Sequence, residues 1–86
     1  MGLDPAKLVL AQREQQIIFA EFNAAAQKHK PLNSLHEAYG VILEEVDEFW
    51  DEVKKKERFR NPVNVRTELR QIAAMALRTL VDLDGQ

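Results

Sequence analysis

The chain has no cysteine, which excludes a disulfide framework and a thiolate zinc site. It has no apolar run near the roughly 20 residues needed to span a bilayer. The opening MGLDPAKLVL lacks a basic n-region and a small-residue cleavage site, so no secretory signal is expected. Ala6 stands where an N-myristoylation signal wants Ser or Thr. Charge of one sign is also scarce: the formal balance is -2, so no general attraction to nucleic acid or anionic membrane is expected. What remains is a chain of 86 residues, 45% hydrophobic and 30% charged, the make-up of one small folded domain covering residues 1–86. A soluble, cytoplasmic protein is the expectation. So short a chain, with no covalent or thiolate staple, is expected to gain stability by self-association.

Proline is scarce too, and its three positions, Pro5, Pro31 and Pro62, punctuate the sequence. Asp4-Pro5 reads as an N-cap followed by proline in the first turn, where the missing N–H costs nothing. The segment from Ala6 to His29 then has no breaker, with Leu8, Gln12, Gln15, Phe19, Phe22 and Ala26 on one face, flanked by Ala11, Ile18 and Ala25. Ser34-Leu35-His36-Glu37 has the capping-box pattern. It opens a second helix expected to reach about Glu57, with Leu35, Ala38, Tyr39, Ile42, Val46, Phe49 and Val53 inward. Asn61-Pro62, or Asn64, starts a third, whose inner face is Val65, Leu69, Ile72, Ala73, Ala76, Leu80 and Leu83. No strand alternation or repeat is present. The expected fold is all-α: three long helices in an antiparallel bundle, completed by oligomerisation to a homodimer or homotetramer, because apolar residues such as Leu43, Trp50, Met75 and Leu77 spill beyond a single stripe.

The segment LEEVDEFWDEV, Leu43 to Val53, places six carboxylates in eleven residues. Successive helical residues turn by about 100°. Glu45 therefore falls at the edge of the apolar stripe, Glu48 one step further round and Glu52 close to Glu45, while Glu44, Asp47 and Asp51 point away. On the third helix Glu68 and Gln71 have the same offsets, so two antiparallel helices can aim these groups at one point. Neighbouring carboxylates repel unless a cation lies between them. An oxygen-only set, without Cys or a helical His pair, suits Mg²⁺, or Mn²⁺ in its place, better than zinc. The plain alternative is a solvated acidic face, offset by the cations of VKKKERFR that follow.

EEVDE, Glu44 to Glu48, followed after 19 residues by ELRQ, Glu68 to Gln71, resembles the EExxE…ExxD signature of the MazG-like, all-α nucleoside triphosphate pyrophosphohydrolases. The wider contexts HEAYGVILEEVDEFWDEVKK and ELRQIAAMALRTLVDL look like the small phage- or mobile-element-encoded members. The resemblance implies a helical dimer or tetramer that uses Mg²⁺ to cleave a nucleotide between its α- and β-phosphates, giving a monophosphate and pyrophosphate. It implies that Glu45, Glu48, Glu68 and Gln71 hold the metal, with Glu44 and Glu48 in catalytic roles. Gln71 departs from the family pattern, which has aspartate there, and leaves the site one negative charge short. Two outcomes follow: activity on three glutamates with another acid such as Glu52 assisting, or a degenerate module kept for nucleotide binding or protein interaction. For substrate, Arg78 and Lys54 are candidates for the phosphates and Trp50 for stacking on the base.

Overall fold

The computed structural model describes residues 2–85, and these contain three α-helices and one short 3-10 turn, with no strand. Helix α1 spans Pro5–Lys28, α2 Leu35–Val53 and α3 Pro62–Asp82. Each begins where the sequence places a cap. Asp4 Oδ1 accepts from Lys7 N at 3.0 Å, Ser34 Oγ from Glu37 N at 3.0 Å and Asn61 Oδ1 from Val63 N at 2.9 Å, satisfying N–H groups that have no partner inside the helix. Only half of the expected capping box forms, because the Glu37 carboxylate accepts from Asn33 Nδ2 at 3.1 Å. Helix α2 also stops earlier than periodicity suggests, at Val53. There the Arg60 guanidinium turns back onto the Val53 carbonyl, with Nε at 3.1 Å, and Glu52 accepts from Asn61 N, so the two side chains close the end of α2 onto the start of α3.

Helix α3 is the middle element. It packs against both α1 and α2, which do not pack on each other. The ends of α2 and α3 meet in opposite order, with Ala38 beside Leu83 and Glu52 beside Asn61, so the pair is antiparallel. Along α1 the partners on α3 rise in the same sense, Glu14 to Arg70 and Glu21 to Gln71, giving an up-down-up order. The link between α1 and α2 is nailed down at the far end of α3. Leu32 is buried with Ala38 and Leu83, its N–H donates to Asp82 Oδ2 at 2.9 Å, and the buried Arg78 guanidinium donates to the Lys30 carbonyl.

The helices are turned about their axes relative to the sequence expectation. In α1 the half-buried side is Ala11, Glu14, Ile17, Ile18, Glu21, Phe22 and Ala25, and Leu8, Gln12, Gln15 and Phe19 face outward. In α2 the inner line is Ala38, Val41, Ile42, Glu45, Phe49 and Glu52, with Leu35, Tyr39 and Val46 exposed. In α3 Leu69, Ala76 and Leu80 are exposed, while Ala74, Met75 and Arg78 are buried. Small residues supply the physical reason. Ala74 is wholly covered, and a methyl at that contact lets the neighbouring helices come close enough for long polar side chains to reach across. The single chain thus buries its polar edge and leaves much of its strongest apolar periodicity outside. Its radius of gyration, 14.7 Å, exceeds the about 12 Å of a compact chain of this length.

Candidate functional site

Glu45 sits on the inner line of α2, and Glu48 lies one turn beyond it toward solvent. Glu68 comes from the first third of α3, which the antiparallel packing sets opposite them. One oxygen from each of the three lies within 4.8 Å of the others, with Glu45 and Glu68 half-buried and Glu48 exposed. Among the described residues none of these carboxylates makes an ion pair. Glu68 Oε2 is sealed from solvent and meets no hydrogen-bonding partner.

Crowding acids in this way disfavours their charge. Burial, followed by the Glu48 charge, raises Glu45 above the ordinary carboxylate range. Glu68 is pushed up to about 7, first by burial and then by the carboxyls of Glu48 and Glu45 beside it. A buried oxygen without a donor and two carboxyls whose charged forms are disfavoured mark a cluster short of positive charge. Three oxygen donors, one open to solvent, have the chemistry of a hard divalent cation's ligands rather than of a thiolate or imidazole site.

The other expected site residues divide. Glu44 is exposed and outside the cluster, though its charge contributes to raising Glu45. Gln71 joins Glu45 in lining a cleft of about 360 Å³ that opens between α1, α2 and α3, and Arg78 lines it further along. Arg78 is not a loose cation there: it donates to the Lys30 carbonyl and its Nε lies 3.3 Å from Asp82 Oδ2. Its first task is holding the α1–α2 link. Lys54 is exposed and pairs with Asp51 at 2.9 Å, and Trp50 is exposed; neither lines this cleft. Glu52, expected as an assisting acid, is buried in a structural role: it accepts from Asn61 N and pairs with Lys55 at 3.0 Å. Those two partners, the Asn61 N–H first, hold its carboxyl below the usual range.

Three residues outside the expected site contribute as well. Glu21 on α1 accepts from the Gln71 amide, Oε2 to Nε2, at 2.8 Å. A carboxylate therefore stands behind the residue that departs from the acidic pattern. The spacing Ala11, Glu14, Ile18, Glu21, Ala25 is helical and would have pointed to it, had the apolar stripe of α1 not suggested another face. His29 and Lys30, where α1 ends, also line the cleft. The lining thus mixes both signs, with Glu45 and Glu37 as well as Lys30 and Arg78. No protein-family model, no curated protein and no solved structure matches the chain.

Proposed function

We propose that the chain is a Mg²⁺-dependent nucleoside triphosphate pyrophosphohydrolase of the MazG-like kind, working as a dimer or tetramer and splitting its substrate between the α- and β-phosphates into a monophosphate and pyrophosphate. The observation that carries this reading is the convergence of Glu45, Glu48 and Glu68 from two helices, with a buried Glu68 oxygen that has no partner. Those three carboxylates would hold the metal, which when bound supplies charge to neutralise phosphate oxygens and lowers the pKa of a coordinated water. The chain's own residues do the rest. Lys30, which makes no ion pair among the described residues, is placed on the cleft wall to meet a phosphate. Arg78 adds positive charge to that wall while fixing its shape. The water-orienting role falls in this reading to Glu44, which is exposed and outside the cluster. The volume of the cleft, about 360 Å³, lies in the range of small-molecule sites.

Gln71 favours a second reading, a nucleotide-binding module that no longer turns over. Its amide is held by Glu21 and brings no charge of its own to the cluster. One assay separates the two: pyrophosphate release from a panel of ribo- and deoxynucleoside triphosphates with Mg²⁺, for the wild type and Glu48→Gln. Release by the wild type that falls at least about 100-fold in the variant supports the enzyme. Absence of release, with Mg²⁺-dependent nucleotide binding intact, supports the module. Neither release nor binding removes both.

A further inference from the structure

The Gln71 side chain ends in an amide with a donor end and an acceptor end. Its Nε2 donates across from α3 to α1, to Glu21 Oε2 at 2.8 Å. The two ends of a planar amide point apart, so with the nitrogen on Glu21 the carbonyl oxygen faces away from it. That oxygen accepts no hydrogen bond among the described residues, and Gln71 lines the cleft together with Glu45. The choice of end is the reverse of what the carboxylates alone favour. Glu68 stands one turn back along α3, and its Oε2 is sealed from solvent without a donor. A buried acceptor in that state draws any N–H within reach, yet the Gln71 N–H is committed to Glu21.

Glu21 is able to hold it because the neighbouring guanidinium is engaged elsewhere. Arg70 forks onto Glu14, with Nε at 2.7 Å and Nη2 at 2.8 Å, and Glu21 makes no ion pair among the described residues. Glu21 and Gln71 are both half-buried, where a hydrogen bond to a carboxylate is stronger than one between neutral groups and is screened less than at the surface. A carboxylate that accepts from one end of an amide polarises it and leaves more electron density on the carbonyl oxygen at the other. Partners of this kind orient metal-binding side chains and raise their basicity. Gln71 brings no charge of its own; the carboxylate behind it, on α1, brings one.

We propose that Glu21 is a positioning residue for the cation site of Glu45, Glu48 and Glu68. It turns the donor end of Gln71 away from the carboxylates, so that the amide oxygen is left toward the cleft as a further ligand, and it lends that oxygen the charge Gln71 lacks. The inference rests on the metal reading given above. It makes α1 part of the site, and it makes Gln71 a working ligand rather than a mark of lost function.

The test reads Mn²⁺ binding to the whole chain by electron paramagnetic resonance, without nucleotide, at a pH above the titration of Glu68 at about 7. Glu21→Gln keeps an acceptor oxygen and removes the charge. It should weaken Mn²⁺ binding about 10-fold or more, while the metal-free protein unfolds in urea as the wild type does. Gln71→Met keeps the length of the side chain and removes the amide, and should weaken binding at least as much. Adding Glu21→Gln to Gln71→Met should then change little, because Glu21 acts through the amide. Wild-type affinity in Glu21→Gln, or the same loss from Glu21→Gln in both backgrounds, would overturn the proposal and leave the metal site standing. A wild type that binds no Mn²⁺ would remove the metal reading itself and the role of Glu21 with it.

Discussion

Glu68→Gln is the substitution that reports most directly on the acidic cluster. Glu68 holds its proton up to about 7 in the folded chain against an ordinary value of 4.5. A carboxyl whose folded pKa is the higher one keeps its proton longer in the native state. Stability therefore falls as pH rises from the unfolded value to the folded one, and is level above both. The full shift would correspond to about 3 kcal/mol; solvent reaching the open side of the cluster screens this to about 1–2 kcal/mol. Glu45 shifts in the same direction, whereas Glu14 and Glu52 are lowered and titrate below this window. Wild-type stability, measured by denaturant unfolding at fixed protein concentration without divalent metal, should drop by that amount between pH 5 and pH 8. The Glu68→Gln curve should be flatter. At pH 8 the variant should be the more stable protein, with a melting temperature about 5–10 °C higher, and the two should nearly coincide at pH 5. Mg²⁺ at pH 8 should stabilise the wild type and leave Glu68→Gln almost unmoved. Parallel curves for the two proteins across this range, or a variant that is weaker at pH 8, would show that the charge on Glu68 is compensated in the fold and would refute the reasoning.

Gln71→Asp alone should bind Mg²⁺ poorly despite its added charge, because the new carboxylate faces Glu21 where the amide now donates; pairing it with Glu21→Gln should restore or exceed wild-type affinity, read by calorimetry. Arg78→Ala should cost about 3 kcal/mol, because it strips a buried cation from Asp82 and the Lys30 carbonyl, and Arg78→Lys should recover only part of that in urea unfolding. Lys30→Ala should leave unfolding stability within about 0.5 kcal/mol of wild type while raising KM for any nucleotide that is turned over.

The helices and their starts were legible because caps and prolines act locally: Asp4, Ser34 and Asn61 each bond to a backbone N–H two or three residues on. The meeting of Glu45, Glu48 and Glu68 was legible for a related reason, since helical phase and an antiparallel partner suffice to bring matched offsets together. The faces were harder to read. Periodicity shows where a helix is apolar, and the rule that this stripe faces the chain's own core fails when a three-helix bundle is too small to cover every stripe it carries. Tyr39, Val46, Leu69 and Leu80 were placed inward on that rule and are exposed. The converse error concerns Arg78, Glu52 and Glu21. A covered charged residue is tolerated only with partners, and the ones that tie these to other elements, Lys30 for Arg78, Asn61 for Glu52 and Gln71 for Glu21, lie 48, 9 and 50 residues away, where no helical spacing connects them.

The central place of α3 bears on how the two outer helices come loose. Helix α2 is joined to it by the buried Ala38, Leu32 and Leu83 group and by the closure at Glu52, whereas α1 adds two exposed-to-half-buried polar rungs, Glu14 to Arg70 and Glu21 to Gln71, to its half-buried apolar residues. Rungs made of charge weaken with ionic strength, and apolar contacts do not. Salt therefore acts as a selective solvent for one seam of the molecule. It loosens the helix that holds Gln71 from behind while leaving the two helices that carry the glutamates together, so the wall of the cleft yields before its floor.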